Sequence, residues 1–316
     1  MIYTITLNPA IDHIIQVQGE LTRGKNNRVN KSILDIGGKA THVSVVLSTL
    51  AMPNISTGFI GELKKEILYR LLREQKVNPQ FYVLPDKTVR ENYIVMDESN
   101  KGSFMITHEG PEVSNEQIRE FVADLESKLI KDDIVVIAGN PSKKMSKSDF
   151  LYILKKIKST GAKIVVDVSG EYLKVALEIE LTLIKPNQYE FSECIGGEPI
   201  ESVEDCIRAY KQFNRKNIEY LVVSLGKQGS VLFHKNNVYI AESPNVETVN
   251  DTGCGDAFVG GLVYGFANNH SIERTLKFAT AISASKAMQL TSSGVEVEQA
   301  KKLRQAVSIK KLPTSL

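Results

Sequence analysis

The residues best arranged to do chemistry lie near the end of the chain, in Gly253-Cys254-Gly255-Asp256 and the apolar run that follows them from Ala257 to Val263. Two glycines permit tight backbone geometry. A helix starting directly after them would aim unpaired N–H groups, at its positive end, towards whatever lies in front. A phosphoryl group moving between two oxygens needs such donors where its negative charge spreads. Asp256 is the acid placed to accept the proton of an attacking hydroxyl. The same four residues also read as a plain helix start, because Asp is favoured there for its own sake.

A second glycine pair, Gly37-Gly38, precedes Lys39 and a helical pattern. It reads either as another close-approach site for a polar ligand or as an ordinary strand-to-helix turn. It is not a P-loop, since GxxxxGK[ST] occurs nowhere in the chain. Lys25, Arg28, Lys39 and Arg90 could together grip a phosphate, the arginines bidentately. Each alone also reads as a solvated surface cation. His13, His42, His108, His234 and His270 form no metal-spaced pair such as HExxH. Cys254 sits where a thiolate would be favoured, but the sequence offers it no base partner, and it reads as a small space-filler.

These residues need elements to hold them. From about residue 133 onward, short β-branched runs alternate with helical patterns. Strands are predicted over 133–138, 163–168, 181–184 and 220–224, with helices over 146–159 and 203–213. Such runs suit parallel strands buried on both faces, and repeated βα units imply a parallel sheet covered by helices. Ligands of open α/β sheets bind beyond the carboxyl ends of the strands. Those ends carry Gly139-Asn140-Pro141, Asp167-Val168-Ser169-Gly170, Lys185-Pro186-Asn187 and Ser224-Leu225-Gly226. Each alone could be a turn; together they predict a crevice for a polar ligand. The first third breaks the rhythm. Residues 1–7, 11–17, 28–36, 89–96 and 103–107 read as strands, around helices at about 41–50 and 62–75. The later four predict a small antiparallel sheet acting as a lid, although extra edge strands of the main sheet are the other reading. From Cys254 to about Ser308 the pattern is mostly helical.

Gly37-Gly38-Lys39, Lys185-Pro186-Asn187-Gln188-Tyr189-Glu190, Ser224-Leu225-Gly226-Lys227-Gln228-Gly229 and Asn250-Asp251-Thr252-Gly253-Cys254-Gly255-Asp256 resemble, in order and spacing, the signatures of the PfkB (ribokinase-like) carbohydrate kinase family. The similarity covers nearly the whole chain. The opening Thr6-Leu7-Asn8-Pro9-Ala10-Ile11-Asp12, with Asp167-Val168-Ser169-Gly170-Glu171 and His108-Glu109-Gly110-Pro111-Glu112, looks like its 1-phosphofructokinase and tagatose-6-phosphate kinase branch. The resemblance implies one α/β domain over 1–316. It would be a ribokinase-like three-layer sandwich with a mostly parallel central sheet, and lid strands within about 11–36 and 88–108. It implies ATP- and Mg²⁺-dependent phosphorylation of a sugar phosphate, fructose 1-phosphate first, with tagatose 6-phosphate or another sugar as rivals.

The resemblance also implies roles. Asp256 would be the base, and the backbone of Gly253, Cys254 and Gly255 the anion hole. Lys185, Asn187, Ser224, Gly226, Gly229 and Gly255 would border ATP. Glu190 and Asn187 would organise Mg²⁺ through its waters and the phosphates. Asp12, Arg28, Gly37, Gly38, Lys39, His42, Arg90 and Asn92 would face the sugar phosphate. The chain departs from the pattern at Ala40, His42, Asn140, Asp251 and Cys254, where Gly, Asn, a Ser-type hydroxyl, Thr and Ala are usual. The first three lie in the acceptor region, so a binding sensor without catalysis is an alternative.

Bulk numbers narrow the field. The chain has 316 residues, 42% of them apolar, enough for a full core. Lys+Arg of 39 against Asp+Glu of 37 leaves a formal charge of +2, which argues against a dedicated nucleic-acid binder. Cys194, Cys206 and Cys254 are odd in number and hold no CxxC, so a reducing cytoplasmic setting is expected. The N-terminus reads as a strand, not a signal peptide, and no apolar run spans a bilayer. No GxGxxG follows the first strand, which disfavours a dinucleotide-binding Rossmann protein. A lid sheet with open edges would suit pairing into a homodimer.

Overall fold

The computed structural model describes residues 1–99, 103–142, 144–213 and 217–313. In chain order the first strands are β1 (Ile2–Thr6), β2 (Ala10–Val17) and β3 (Val29–Gly37), followed by helix α1 (Lys39–Thr49). Then come β4 (Asn54–Leu63), α2 (Lys65–Glu74), β5 (Asn78–Pro79), β6 (Tyr82–Thr88), β7 (Arg90–Met96) and β8 (Ser103–Thr107). The βα rhythm follows with α3 (Asn115–Lys128), β9 (Ile134–Ala138), α4 (Lys147–Ser159), β10 (Lys163–Asp167) and α5 (Gly170–Ala176). It continues through β11 (Leu181–Ile184), α6 (Gln188–Ile195), α7 (Val203–Gln212) and β12 (Ile218–Ser224). The chain closes with β13 (Ser230–His234), β14 (Asn237–Ala241), α8 (Cys254–Ala267), α9 (Ile272–Ala287), α10 (Val297–Ala306) and β15 (Ile309–Pro313).

Among the described residues an 11-stranded sheet runs in the order β15-β14-β13-β12-β11-β10-β9-β1-β4-β5, with β6 also paired to β4. Pairing is parallel from β12 across to β5 and antiparallel from β12 outward to β15. Alternation along the strands fills two cores. In β9, Val135 and Ile137 pack with Phe121, Phe150 and Ile153 on one face, while Val136 and Ala138 pack with Val43, Val259 and Leu262 on the other. Helices therefore cover both faces, which is the three-layer arrangement expected of parallel strands.

The remaining strands form a separate four-stranded sheet in the order β3-β2-β7-β8. It is a sheet of its own and not an extension of the main one, as the strand pattern predicted. It is mixed, not antiparallel: β2 and β7 run parallel, with Asp12 opposite Asn92, while β2/β3 and β7/β8 are antiparallel. The long β3–β7 connection passes through α1, β4 and α2 in the main body, and so returns β7 in the same direction as β2.

Strand β4 is absent from the sequence-based expectation, and the helix predicted from 62 begins only at Lys65. The segment Asn54-Ile55-Ser56-Thr57-Gly58 is polar and interrupted by glycine, yet Asn54, Ser56 and Thr57 are buried. Pairing with β1 puts them there, and a lone-strand pattern cannot register that.

Candidate active site

A cleft of about 1400 Å³ opens over the carboxyl ends of β1 and β9 to β12. All four strand-end segments singled out in the sequence line it: Asn140 after β9, Asp167 and Ser169 after β10, Lys185 and Asn187 after β11, and Ser224 with Gly226 after β12. The small sheet adds Asp12, Arg90 and Asn92, and the start of α8 adds Gly253 to Asp256. Residues more than 240 positions apart thus share one wall because parallel strands end at one edge.

The α8 start has the geometry of an anion site. Gly253 is its N-cap, in the left-handed region at φ 85°. A Cβ there would lie 1.8 Å from the Ser292 carbonyl oxygen, so only glycine fits. The Cys254 N–H, expected in the anion hole, turns instead to the Asp251 carbonyl at 3.1 Å. Gly255 and Asp256 make no such backbone bond among the described residues and keep first-turn N–H groups for a ligand. The Cys254 side chain is a packing group. Burial pushes its thiol up to about 11, against the smaller pull of Lys286, so it is not a thiolate at neutral pH.

Two ammonium groups flank this helix end. Lys185 is buried, and its Nζ lies 3.5 Å from where a Cβ of Gly255 would be. Asp167, with a side chain shut off from solvent, holds both lysines through one oxygen, Oδ1, at 3.4 Å from Lys39 and 3.5 Å from Lys185. The other oxygen, Oδ2, has no hydrogen-bond partner among the described residues. The Asp167 charge keeps Lys39 protonated by raising its pKa, against burial, with help from Asp256 and Glu190.

The small-sheet wall is polar and tightly fitted. The Asn92 amide donates to Asp12 Oδ1 at 2.7 Å, and Arg90 donates to the Asn8 carbonyl at 2.9 Å. The Arg90 Nε is buried without a partner, a donor that an anion in the cleft would satisfy. Gly37 leaves room for Asp12, since a Cβ on it would fall 2.2 Å from Asp12 Oδ1. Burial raises the Asp12 pKa, and His42 and Asn92 oppose the rise. His42 packs against Asp256: its Nδ1 lies 2.6 Å from Asp256 Oδ2 and its Nε2 is 2.7 Å from the Ile36 carbonyl.

Three expected residues do not line the cleft: Gly37, which abuts Asp12, and two that fall farther away. Lys25 and Arg28 are exposed at the far end of the small sheet and do not line the cleft. The antiparallel pairing Val17–Val29 and Ala10–Gly37 puts the start of β3 at the opposite end from the site. Other lining residues had no separate signal. Asn8, whose amide donates to the Glu109 carbonyl at 2.9 Å, lines the cleft, as do Thr107 and His108. Asn245, Thr248 and Ser283 line it as well, Ser283 donating to the Cys254 carbonyl at 2.9 Å. Only the family-like segments around Asn8 and His108 could have marked the first group.

The pfkB family carbohydrate kinase model matches residues 5–297 of this chain. The chain belongs to the pfkB family. It is 32% identical over 278 residues to 1-phosphofructokinase of Bacillus subtilis, covering 88% of this chain and 89% of that protein. It is 32% identical over 281 residues to 1-phosphofructokinase of Escherichia coli K12, covering 89% of each. In fold it superposes on Escherichia coli phosphofructokinase-2 in complex with substrates and products, with a TM-score of 0.90, 23% identity and coverage of 96% and 98%. As a pfkB carbohydrate kinase it is a phosphotransferase with an alcohol acceptor. No helix among the described residues is long and apolar enough to cross a membrane.

One pfkB signature has a local structural reason as well. Asn187 caps α6 through its side-chain oxygen, accepting from the Tyr189 and Glu190 N–H groups at 2.9 Å. Glu190 Oε2 accepts from the Asn187 N–H at 2.8 Å. This capping box fixes both side chains at the cleft and leaves Glu190 Oε1 available. No group of three His, Cys, Asp or Glu among the described residues could hold a metal by itself. The donor set suits an ion that keeps its waters and borrows phosphate oxygens, as Mg²⁺ does.

The thiols provide a test. Burial raises the pKa of Cys194, Cys206 and Cys254 alike. All three are expected to alkylate more slowly than free cysteine at pH 8 in the native protein and rapidly in urea, as followed by mass spectrometry. Cys254→Ala is expected to keep turnover within about twofold. Rapid native labelling at Cys254 would contradict the packing role.

Proposed function

We propose that this carbohydrate kinase transfers the γ-phosphate of ATP to a primary hydroxyl of a furanose-type sugar phosphate, fructose 1-phosphate first among candidates. The product would be fructose 1,6-bisphosphate. The observation that carries the reading is the convergence, in one cleft, of free N–H groups at the α8 start, the Asp256 carboxylate, and the paired ammonium groups of Lys39 and Lys185. The names of the relatives favour the acceptor. The unpartnered Arg90 Nε favours a phosphorylated one.

In this reading the Gly255 and Asp256 N–H groups hold the oxygens of the transferring phosphoryl group, and Lys39 and Lys185 offset its charge. Asp256 accepts the proton of the acceptor hydroxyl. Asp12 and Asn92 orient the sugar hydroxyls, and Arg90 meets the substrate phosphate. Ser224, Gly226, Gly229 and Asn187 border the nucleotide. Glu190 and Asn187 would hold hydrated Mg²⁺, which would offset phosphate charge when bound. The small sheet acts as a lid, closing the cleft so that water does not replace the sugar.

The lid is also the surface for a second copy of the chain. Leu34, Phe104 and Ile106 are exposed and lie on its face away from Asp12 and Asn92. The outer edges of its strands β3 and β8 are unpaired among the described residues. Open edges and an apolar face favour pairing with another lid.

A panel of sugars and sugar phosphates in an ADP-release assay is expected to show preferred turnover of fructose 1-phosphate. Turnover of tagatose 6-phosphate alone, or of unphosphorylated sugars alone, would replace the acceptor. Calorimetric binding with no turnover on any sugar would favour a sensor over an enzyme. Asp256→Asn is expected to keep ATP binding and to lower turnover by about 10²–10⁴-fold; near-normal turnover would remove the base. Sedimentation is expected to show a dimer that Ile106→Glu dissociates, and a wild-type monomer at micromolar concentration would sink the lid interface.

A further inference from the structure

His42 stands on α1, where the family usually carries Asn, and its ring is buried. Both ring nitrogens face acceptors. The Ile36 carbonyl, 2.7 Å from Nε2, can only accept. The Asp256 carboxylate, 2.6 Å from Nδ1, also accepts when ionised. A neutral imidazole has one N–H and would set a lone pair against one of them. Two hydrogens on the ring satisfy both.

The surroundings agree. Asp256 from α8 and Asp12 from β2 face the ring. Lys39 from α1, Arg90 from β7 and Lys286 from α9 stand around those two carboxylates, and Asp35 from β3 lies near Asp12. Burial alone would push the imidazole down. The hydrogen bond and charge of Asp256, then Asp12 and the Ile36 carbonyl, reverse this and raise it to about 9. With both N–H groups spent inside the protein, His42 has none to offer a sugar hydroxyl.

We propose that His42 is a positioning residue for the base: an imidazolium that holds Asp256 Oδ2, leaves Oδ1 to take the acceptor proton, and ties α8 to β3 of the small sheet through Ile36. The kinetic part rests on the proposed kinase reaction; the protonation part does not.

The test has two arms. In the kinetic arm, His42→Asn is expected to lower kcat about 10–100-fold while the KM for the sugar phosphate stays within about threefold. The wild-type kcat is expected to fall as pH rises through about 9, where the ring loses its proton, and the variant to lack that limb. A KM raised more than tenfold at unchanged kcat would make His42 a sugar contact and overturn the proposal. An unchanged kcat with an unchanged pH profile would also overturn it. In the second arm, ¹⁵N NMR of the wild-type ring at pH 7.5 is expected to show both nitrogens protonated, and Asp256→Asn to move the titration to lower pH. A neutral ring at pH 7.5 overturns the proposal whatever the enzyme phosphorylates. Absence of turnover on every sugar, with a doubly protonated ring, would overturn the proposed reaction and retain the ion pair.

Discussion

The site depends on one steric constraint: the backbone at Gly253 lies against the Ser292 carbonyl with no room for a side chain. That contact sets the left-handed turn from which α8 departs, and so the direction of its first N–H groups. The surrounding chain is arranged to keep it. The Ser292 N–H donates to Asp35 Oδ2 at 2.8 Å, which anchors the far side of the contact to β3. The fully buried Lys286 ammonium donates to the Asn250 carbonyl at 3.0 Å, and the Asn250 amide donates to Leu290 at 2.8 Å. The anion site is held from behind by groups that never face the cleft.

Electrostatics supply the second layer. Asp12, Asp167 and Asp256 are all buried, and a buried carboxylate is costly unless paired. Each has found cations or donors: Asn92 for Asp12, Lys39 and Lys185 for Asp167, and His42 for Asp256. All four of these partners also line the cleft. In the proposed reaction these same pairs would hold the charges that a phosphate and a hydroxyl need. The Asp167 Oδ2 and the Arg90 Nε are left without hydrogen-bond partners among the described residues.

Family membership and the α/β sandwich were legible because their signals are local. The runs 134–138, 163–167 and 181–184 are apolar and β-branched, and the structure keeps them within a residue or two of expectation. The small sheet was legible as a break in the βα rhythm. Its mixed pairing was not, because strand direction depends on how the chain travels between β3 and β7. Strand β4 was not legible because its polar residues are buried only by their neighbours. Lys39, Arg90 and Asn92 line the cleft and Arg28 does not, since sequence proximity to β3 says nothing about which end of β3 meets the cleft.

The sequence by itself determined the chemistry-bearing types and their order: two glycines and an acid before an apolar helix, a second glycine pair, and polar residues at strand ends. Backbone permissiveness and hydrophobic periodicity are written in adjacent residues, so they can be read without coordinates. Only the tertiary structure decided what those residues touch. It made Cys254 a half-buried thiol, gave Asp167 two lysines, and set His42 on Asp256, 214 positions away. Such pairings come from strand order and burial, and a hydrogen bond of 2.6 Å between distant residues is a property of the packed molecule, not of any segment of its chain.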